Sequence, residues 1–294
     1  MADTVGQADI RGLDIQKLVT GFADENSILK PLTRQSSTSA REIRWFQKTA
    51  GFLDSTDTTG ITGTQIANVA ERSLPNVVNQ SWTRNTSYVR KYFVESETIS
   101  EEDIKDSDVD VLATTIRDLV RAVANQVDIR IYNVLTEDLS PSNILTTAAT
   151  ADGWDDATTG NPIKDILTGN RKIRAQSYDT NGIVLYINPI EHENLLNYLI
   201  NVKGSSIPAF SSQKVVTGQV MEILGNRVLV SQNATTDNAL QFIPQVSVAW
   251  KSFMPITSAV INDEGIGRKI RVWEEGEALL ENPKSVHLIT DTVV

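Results

Sequence analysis

The sequence contains no cysteine, and this absence excludes several kinds of chemistry at once. Without thiols there is no disulfide, iron–sulfur cluster, thiolate metal site or cysteine nucleophile. Histidine is nearly as scarce: His192 and His287 are the only two, so a single chain cannot build a three-histidine metal site. These shortages leave few side chains for metal-dependent or covalent catalysis.

Long apolar segments are also missing. The longest runs are short pieces such as 183–187, far below the roughly 20 residues of a membrane span. The first six residues, MADTVG, lack the basic start and apolar middle of a signal peptide. We therefore expect a soluble protein without an export signal and without a membrane partner.

The common catalytic motifs are absent as well. The sequence has no Gly-x-Gly-x-x-Gly, no Walker-type Gly-Lys-Ser/Thr and no Gly-x-Ser-x-Gly, so neither a phosphate cradle nor a nucleophile elbow is predicted. Glu191, His192 and Glu193 are adjacent, but consecutive residues on a helix point in different directions. A solvated cluster at a helix start is therefore favoured there over a metal site.

Two further acidic clusters are weak candidates. Asp106, Asp108 and Asp110 have the alternate spacing of a calcium loop, but Arg117 stands where the bidentate glutamate would be and the turn glycine is missing. The cluster at 274–277, Glu-Glu-Gly-Glu, is predicted to be a solvated turn. We expect no catalytic residue, no cofactor and no metal, and hence not an enzyme.

Charge is the first positive feature. The chain has 27 basic and 37 acidic residues, a net charge of −10, which opposes a strong sequence-independent grip on nucleic-acid phosphates. Residues 30–94 contain nine basic and four acidic residues, whereas residues 95–110 contain eight acids and one lysine. Neighbouring segments of opposite sign indicate surfaces that pair between subunits, or alternatively a solvated acidic helix start.

The N-terminal third reads as an arm followed by a ribbon. An amphipathic pattern at 10–22 predicts a short helix, and a polar stretch follows it. An extended segment at 41–49, a Gly/Thr-rich tip at 51–64 and a β-rich return at 81–98 predict a long two-stranded ribbon. Such a hairpin is marginal alone, so a neighbouring subunit is the simplest surface for it. Stacking of single-stranded nucleic acid on Tyr88 and Tyr92 is the less favoured alternative.

A long helix should follow the ribbon. Ser100 is a good N-cap with acids after it, and apolar residues spaced by three and four predict a helix over 110–136. Its polar face would carry, among others, Asp128 and Arg130. The remaining chain predicts helices beginning at Pro162 and Pro189, and a hairpin that turns at Gly225-Asn226. Strands are predicted at 183–187, 240–243, 246–250, 259–261, 269–273 and 286–289.

This order of elements resembles the major capsid proteins of tailed double-stranded DNA viruses, which have the Hong Kong 97 fold. The segments that carry the likeness are 92–102, 128–135, 187–189, 224–231 and 283–289. The resemblance implies an α+β chain with an N-terminal arm, an extended β-ribbon loop, a long spine helix, and peripheral and axial domains. The implied ranges are 1–39 for the arm, 40–98 for the extended loop, 99–178 for the peripheral domain with the spine helix, 179–257 for the axial domain and 258–294 for return strands.

The resemblance also implies a function: self-assembly into pentamers and hexamers of an icosahedral capsid around double-stranded DNA. The expected location is the virion, with assembly in the host cytoplasm. The expected partners are other copies of the chain, possible scaffolding, portal and decoration proteins, and DNA contacted weakly and non-specifically. The alternatives are an encapsulin-like compartment shell or, less favoured, a viral tail or adhesion protein.

Two features of relatives are not expected here. Some relatives cross-link the extended loop through a lysine, but residues 51–64 contain no lysine. Some begin with a cleavable scaffolding segment of about a hundred residues, whereas the loop here starts near residue 40. A separate scaffolding protein, or a form with that segment removed, would explain the difference.

We predict that the basic ribbon lies over the acidic start of a neighbour's spine helix. Aromatic side chains would supply most of the association energy, because exposed ion pairs contribute only ~0.2–1 kcal/mol each. The candidate contact residues are Trp82, Arg84, Tyr88, Arg90, Lys91, Phe93, Glu95, Glu97, Glu101, Glu102 and Asp103.

Overall fold

The computed structural model describes residues 27–50, 71–74, 81–106, 111–136, 144–149, 153–156, 159–176, 178–202 and 222–293. They form two compact units. The first contains described residues up to 43, together with 87–131 and 250–279; the second contains those of 44–86, 132–249 and 280 onward. The helix predicted at 10–22 and the ribbon tip at 51–64 lie outside the described residues.

Helices and strands are mixed throughout the chain. The strands are β1 (Arg34–Ser37), β2 (Glu42–Ala50), β3 (Ser81–Tyr88), β4 (Arg90–Glu95), β5 (Ile99–Ser100), β6 (Leu145–Ala148), β7 (Val184–Ile187), β8 (Glu222–Ile223), β9 (Asn226–Val230), β10 (Asn238–Phe242), β11 (Val248–Asp263), β12 (Gly267–Leu280) and β13 (Val286–Thr290). The α-helices are α1 (Glu101–Asp106), α2 (Val111–Thr136), α3 (Pro162–Ala175) and α4 (Pro189–Asn197); 3-10 turns lie at Lys30–Leu32 and Pro283–Ser285, and a π-helical turn at Tyr198–Val202.

The first unit is a five-stranded sheet covered by the long helix. The strand order is β1-β11-β12-β4, and β5 also pairs with β12. The helix predicted at 110–136 is confirmed as α2, and its buried Ile116, Val120 and Val123 pack against Ile270 and Val272 of β12. This contact buries the predicted apolar stripe and stabilises both elements.

The polar face predicted for α2 is wrong at two positions. Asp128 is buried, and the side chain of Arg130 is only 19% exposed. Asp128 accepts hydrogen bonds from the backbone of residues 28–30, and Arg130 pairs with Glu277. These interactions offset the cost of removing the two charges from water.

Strands β11 and β12 are longer than the sequence predicts. They contain 16 and 14 residues and are joined by a turn at 264–266, so the short predicted strands are parts of one hairpin. The solvated turn predicted at 274–277 is wrong, because Glu274, Glu275 and Glu277 are strand residues with exposures of 1%, 4% and 1%. Gly276 allows the close packing there: a Cβ on it would lie 2.4 Å from Cζ2 of Trp250.

The predicted ribbon is confirmed over part of its length. Strands β2 and β3 form a two-stranded sheet, and the Gln47 side chain donates a hydrogen bond to the Leu280 carbonyl at 2.9 Å. The prediction that the ribbon continues to Thr98 is wrong, because β4 leaves it and pairs with β12, from Glu95 opposite Arg271 to Arg90 opposite Gly276. A long neighbouring strand supplies more backbone hydrogen bonds than a hairpin alone.

The second unit contains a six-stranded sheet of order β6-β13-β10-β7-β9-β8. Helices α3 and α4 pack on it through Ile166 and Leu195, which share a core with Leu185 and Ile187. Both helices begin where predicted. Asn161 and Asn188 cap them by accepting hydrogen bonds from backbone N–H groups, and a proline follows each.

The β8–β9 turn is one residue earlier than predicted. Leu224 and Gly225 form it, with φ of +53° and +79°, as a two-residue type I′ turn requires. Asn226 is instead buried in β9, where its amide donates to Asn170 Oδ1 at 3.0 Å.

The cluster around His192 is also only partly solvated. Glu191 is fully buried and accepts a hydrogen bond from the Asp237 N–H at 2.6 Å, whereas Glu193 is exposed. Desolvation raises the pKa of Glu191. In the described part of the chain no group of three or more acidic or histidine side chains could hold a metal ion. None of the described helices combines the length and apolar character needed to cross a membrane.

Candidate assembly surface

Three buried carboxylates lie close together on β12 in the first unit. We call Glu274, Glu275 and Glu277 the glutamate row. Five cations approach it from four parts of the chain: Lys30 in the 3-10 turn, Arg41 before β2, Arg90 and Lys91 in β4, and Arg130 in α2. The segment before the ribbon and the segment after it therefore both contact β12.

The ion pairs of the glutamate row are close. Lys30 Nζ lies 2.6 Å from Glu274 Oε1, and Arg41 Nη2 lies 3.1 Å from Glu275 Oε2. The remaining pairs are Lys91 Nζ to Glu275 Oε1 at 3.7 Å, Arg90 Nε to Glu277 Oε2 at 3.1 Å and Arg130 Nη2 to Glu277 Oε1 at 2.7 Å. Arg130 Nε also donates to Glu277 Oε1 at 2.8 Å.

Burial makes this arrangement sensitive to the loss of any one charge. A carboxylate that leaves water is tolerated when a cation and hydrogen bonds replace its hydration, and removal of one partner of such a buried pair costs about 3–5 kcal/mol. The side chains of Arg41, Arg90 and Lys91 are half exposed or more, so their own contribution is smaller because solvent screens it. Lys30 and Arg130 are the better buried cations.

The hydroxyl of Tyr92 lies in the same region. Desolvation by burial raises the pKa of the Tyr92 hydroxyl to about 12, and the nearby Glu277 carboxylate adds to the shift. Tyr92 also packs beside Trp250, with 6.5 Å between ring centroids. The tyrosine is therefore neutral, and its ring helps to exclude water from the glutamate row.

Asp128 attaches the N-terminal described segment to α2. Its carboxylate accepts hydrogen bonds from the backbone N–H groups of Ile28, Leu29 and Lys30 at 2.7, 3.2 and 3.2 Å, and from the Ser27 hydroxyl at 3.1 Å. Burial raises the pKa of Asp128, while these donors favour its ionised form. The arrangement resembles an N-cap supplied from a distant helix.

One face of the ribbon exposes aromatic side chains. On β3, alternate residues share a face, and Trp82, Arg84, Thr86 and Tyr88 are all exposed. Trp82 is 56% exposed and Tyr88 66%, and Phe46 on β2 is 61% exposed. Large aromatic side chains on an open face of a two-stranded sheet are typical of a surface that another molecule covers.

The structure separates the predicted contact residues into two groups. Arg90 and Lys91 contact the glutamate row of their own chain, Glu95 forms an ion pair with Arg271, and Phe93 packs against Trp273 with 6.1 Å between ring centroids. These four residues are exposed, and so are the other predicted contact residues: Trp82, Arg84, Tyr88, Glu97, Glu101, Glu102 and Asp103.

Sequence reasoning missed the glutamate row and Asp128. A signal for the row is present: Glu274, Glu275 and Glu277 lie between Trp273 and the apolar 278–280. Acids within a strand-forming segment require cations from elsewhere in the fold. Nothing in the sequence identifies which cations these are, because the pairs span as many as 244 positions.

A comparison with protein families shows which family the chain belongs to. A family model described as phage capsid protein matches residues 84–280, which include β4, α2, parts of both units and most of the glutamate row's cations. The chain belongs to the phage capsid protein family. It is a capsid shell protein with a structural role, and its place is the virion.

Solved capsid structures resemble this capsid protein over nearly its whole length. A virus-like particle from Pyrococcus furiosus has 11% identity and a TM-score of 0.61, covering 94% of this chain and 97% of that chain. Mycobacterium phage Che8 has 16% identity and a TM-score of 0.64, covering 91% and 92%. The capsid of cyanophage P-SCSP1u has 12% identity and a TM-score of 0.64, covering 90% and 88%.

At these low identities the structural likeness shows a shared fold. None of the curated protein sequences matches the chain. The family match and the fold together establish that copies of this capsid protein associate into a shell, so its functional site is the set of surfaces through which they contact one another.

Proposed function

We propose that this capsid protein is the major head protein of a tailed double-stranded DNA phage, and that it forms the pentamers and hexamers of an icosahedral shell. The observation that carries the proposal is the exposed aromatic face of the β2–β3 ribbon. In a shell, a neighbouring subunit covers such a face and the apolar area becomes buried.

The order of elements supports the Hong Kong 97 fold for this shell. The arm corresponds to 1–39, the extended loop to 40–98, the peripheral domain with spine helix α2 to 99–178, the axial domain to 179–257 and the return strands to 258–294. The five-stranded sheet with α2 is consistent with a peripheral domain. Strands β7 to β10 and helix α4, which lie within 179–257, are consistent with an axial domain.

The ribbon is the proposed contact between neighbouring subunits. Trp82 and Tyr88 pack on the next subunit, and Arg84 faces its exposed acids Glu97, Glu101, Glu102 and Asp103. Arg90 and Lys91 have an additional role within their own chain. By pairing with Glu277 and Glu275 of their own chain, they fix the strand that leaves the ribbon.

The proposed cargo is double-stranded DNA, contacted weakly. A net charge of −10 disfavours tight binding of phosphates, and a lining with low affinity allows DNA to be packaged and released. The proposal includes assembly in the host cytoplasm, with scaffolding, portal and decoration proteins as additional partners.

A second candidate is a shell that encloses protein cargo instead of a genome, as encapsulin-like compartments do. The similarity to the virus-like particle from Pyrococcus furiosus favours it. The two candidates share every subunit contact proposed above and differ only in their contents.

Electron microscopy of the purified protein, expressed alone and with its neighbouring genes, tests the proposal. Closed icosahedral particles support a shell, and nuclease-protected DNA inside them supports a phage head. Particles with protein cargo would favour the compartment. Discrete monomers at high protein concentration would contradict both.

A further inference from the structure

A groove in the second unit runs between the C-terminal half of α3 and the β8–β9 turn. Its volume is about 570 Å³, and Leu167, Arg171 and Arg174 of α3 line it together with Leu224 of the turn. Leu167 is 49% exposed and Leu224 45% exposed. The groove therefore combines two half-exposed leucines with two guanidinium groups.

The helix geometry explains why these side chains face outward. The buried positions of α3 include Ile166, Gly169 and Ile173, which pack toward the sheet. Leu167, Arg171 and Arg174 follow one another at spacings of four and three, so they form a separate stripe on the helix. This stripe is left without a covering element in the described part of the chain.

The arginines of the groove are available for an external carboxylate. Both are exposed, and neither has an ion-pair partner among the residues that the structure describes. Asp179 follows the helix closely in sequence, but its carboxylate accepts hydrogen bonds from the backbone and side chain of Asn181. The groove is thus apolar with positive charge at its margin.

A surface of complementary character lies on the other helix of the same unit. Ile190 of α4 is 46% exposed, and Glu193, one turn further along, is exposed as well. Residues three apart are neighbours on a helix surface. This face therefore presents an apolar side chain beside a carboxylate, as the groove presents leucines beside guanidinium groups.

We propose that the α3 groove of one subunit receives the α4 face of a second copy of this chain. Ile190 packs against Leu167 and Leu224, and Glu193 pairs with Arg171 or Arg174. This inference rests on the proposed function, because it assigns a contact within a capsomer. Two different surfaces on each copy make a head-to-tail contact, which closes into a ring when the rotation between copies allows it.

The alternative occupants have different consequences. A symmetric dimer would place the same groove on both sides of the interface and would not use Glu193. A separate acidic protein, such as a scaffolding protein, would need the arginines but would be indifferent to the charge at position 193. A charge exchange distinguishes these occupants.

Three variants make the test: Arg171→Glu, Glu193→Arg and the double variant that carries both. Each single change places like charges together, and we expect the fraction of protein in rings or shells to fall roughly tenfold or more. The double variant restores an opposite pair, and we expect assembly to return to within about twofold of the unchanged protein. Lys164→Glu is the matched control, because it reverses a charge on the same helix outside the groove and should leave assembly unchanged.

Analytical ultracentrifugation gives the assembled fraction, and circular dichroism shows whether each variant retains its fold. If the unchanged protein fails to assemble, the proposed function fails and this contact fails with it. If the unchanged protein assembles and both single variants assemble equally well, only the groove contact is overturned. It is also overturned if both single variants fail and the double variant is not restored.

Discussion

Arg130 of α2 and Glu277 of β12 form a buried charge contact between the long helix and the sheet of the first unit. Two guanidinium nitrogens, Nε and Nη2, lie 2.8 and 2.7 Å from the same oxygen, Glu277 Oε1. The second oxygen of Glu277 faces Arg90. One carboxylate therefore joins α2 to the strand that leaves the ribbon.

Replacement of Glu277 by glutamine should destabilise the protein strongly. Glu277→Gln keeps the size of the side chain but removes the carboxylate charge that faces the poorly exposed Arg130, and the expected loss is about 3–5 kcal/mol of unfolding free energy. Urea unfolding of the unassembled protein measures it. Glu264→Gln removes a carboxylate from an exposed turn and should change stability by less than about 0.5 kcal/mol. Equal stability of the two variants would contradict the role of Glu277.

Replacement of Asp128 should loosen the N-terminal segment before the rest of the fold. Asp128→Asn removes the charge that three backbone N–H groups and Ser27 share, and leaving such donors unsatisfied costs about 1–3 kcal/mol. Hydrogen exchange should show lost protection at residues 28–30. Asp118→Asn on the exposed side of α2 is the control, and unchanged exchange at 28–30 in Asp128→Asn would refute the anchoring role.

His287 should make the second unit sensitive to acid. Its ring is fully buried, with Nδ1 3.1 Å from Gln241 Oε1 and Nε2 2.9 Å from Thr147 Oγ1. Gln241 Nε2 donates to the Ile166 carbonyl, so its Oε1 accepts the proton of His287 Nδ1. Burial, and then the charge of Lys172, lowers the pKa of His287 to about 4.

The direction of the pH effect follows from proton binding. Between pH 6.5 and about 4 the unfolded chain binds a proton at His287 that the folded chain does not, so stability is complete above pH 6.5 and decreases as the pH falls. The loss reaches roughly 3 kcal/mol near pH 4. His287→Gln should flatten this part of the stability profile, whereas His192→Gln should retain it. If the unfolding free energy of His287→Gln falls with decreasing pH as steeply as that of the unchanged protein, His287 is not the source of the acid sensitivity.

Removal of aromatic rings from the exposed ribbon face should impair assembly and leave the folding of the subunit nearly unchanged. Trp82→Ser with Tyr88→Ser removes two exposed rings, and buried aromatic anchors contribute about 2 kcal/mol or more each to an interface. Sedimentation should therefore show loss of particles, with the thermal unfolding midpoint of the subunit unchanged. Val246→Ser, at another exposed apolar position, is the control. Normal particles from the ribbon variant would argue against this contact.

The sequence predicts the fold best where local signals agree. Helix α2 follows from its apolar spacing, and α3 and α4 follow from an asparagine cap before a proline, at Asn161 and Asn188. The sequence predicts a ribbon that is too long, because β4 contains the same β-forming residues whether it pairs with β3 or with β12. Local propensity does not specify the partner of a strand.

The glutamate row shows where prediction from the sequence fails. Glu274, Glu275 and Glu277 have the composition of a solvated turn, and only cations distant in sequence make them compatible with a buried strand. The sequence predicts that Arg90 and Lys91 pair with acids at 95–103 of adjacent subunits, and within their own chain they pair with Glu277 and Glu275 of β12. The contact between subunits remains a prediction for Trp82, Arg84 and Tyr88.

The most direct test of the account is a reconstruction of the assembled particle by cryo-electron microscopy at side-chain resolution. We predict a closed shell in which the Trp82, Arg84 and Tyr88 face of each ribbon lies in van der Waals contact with an adjacent subunit, near its acidic residues 97–103. A closed shell in which this face is exposed to solvent would contradict the proposed role of the ribbon.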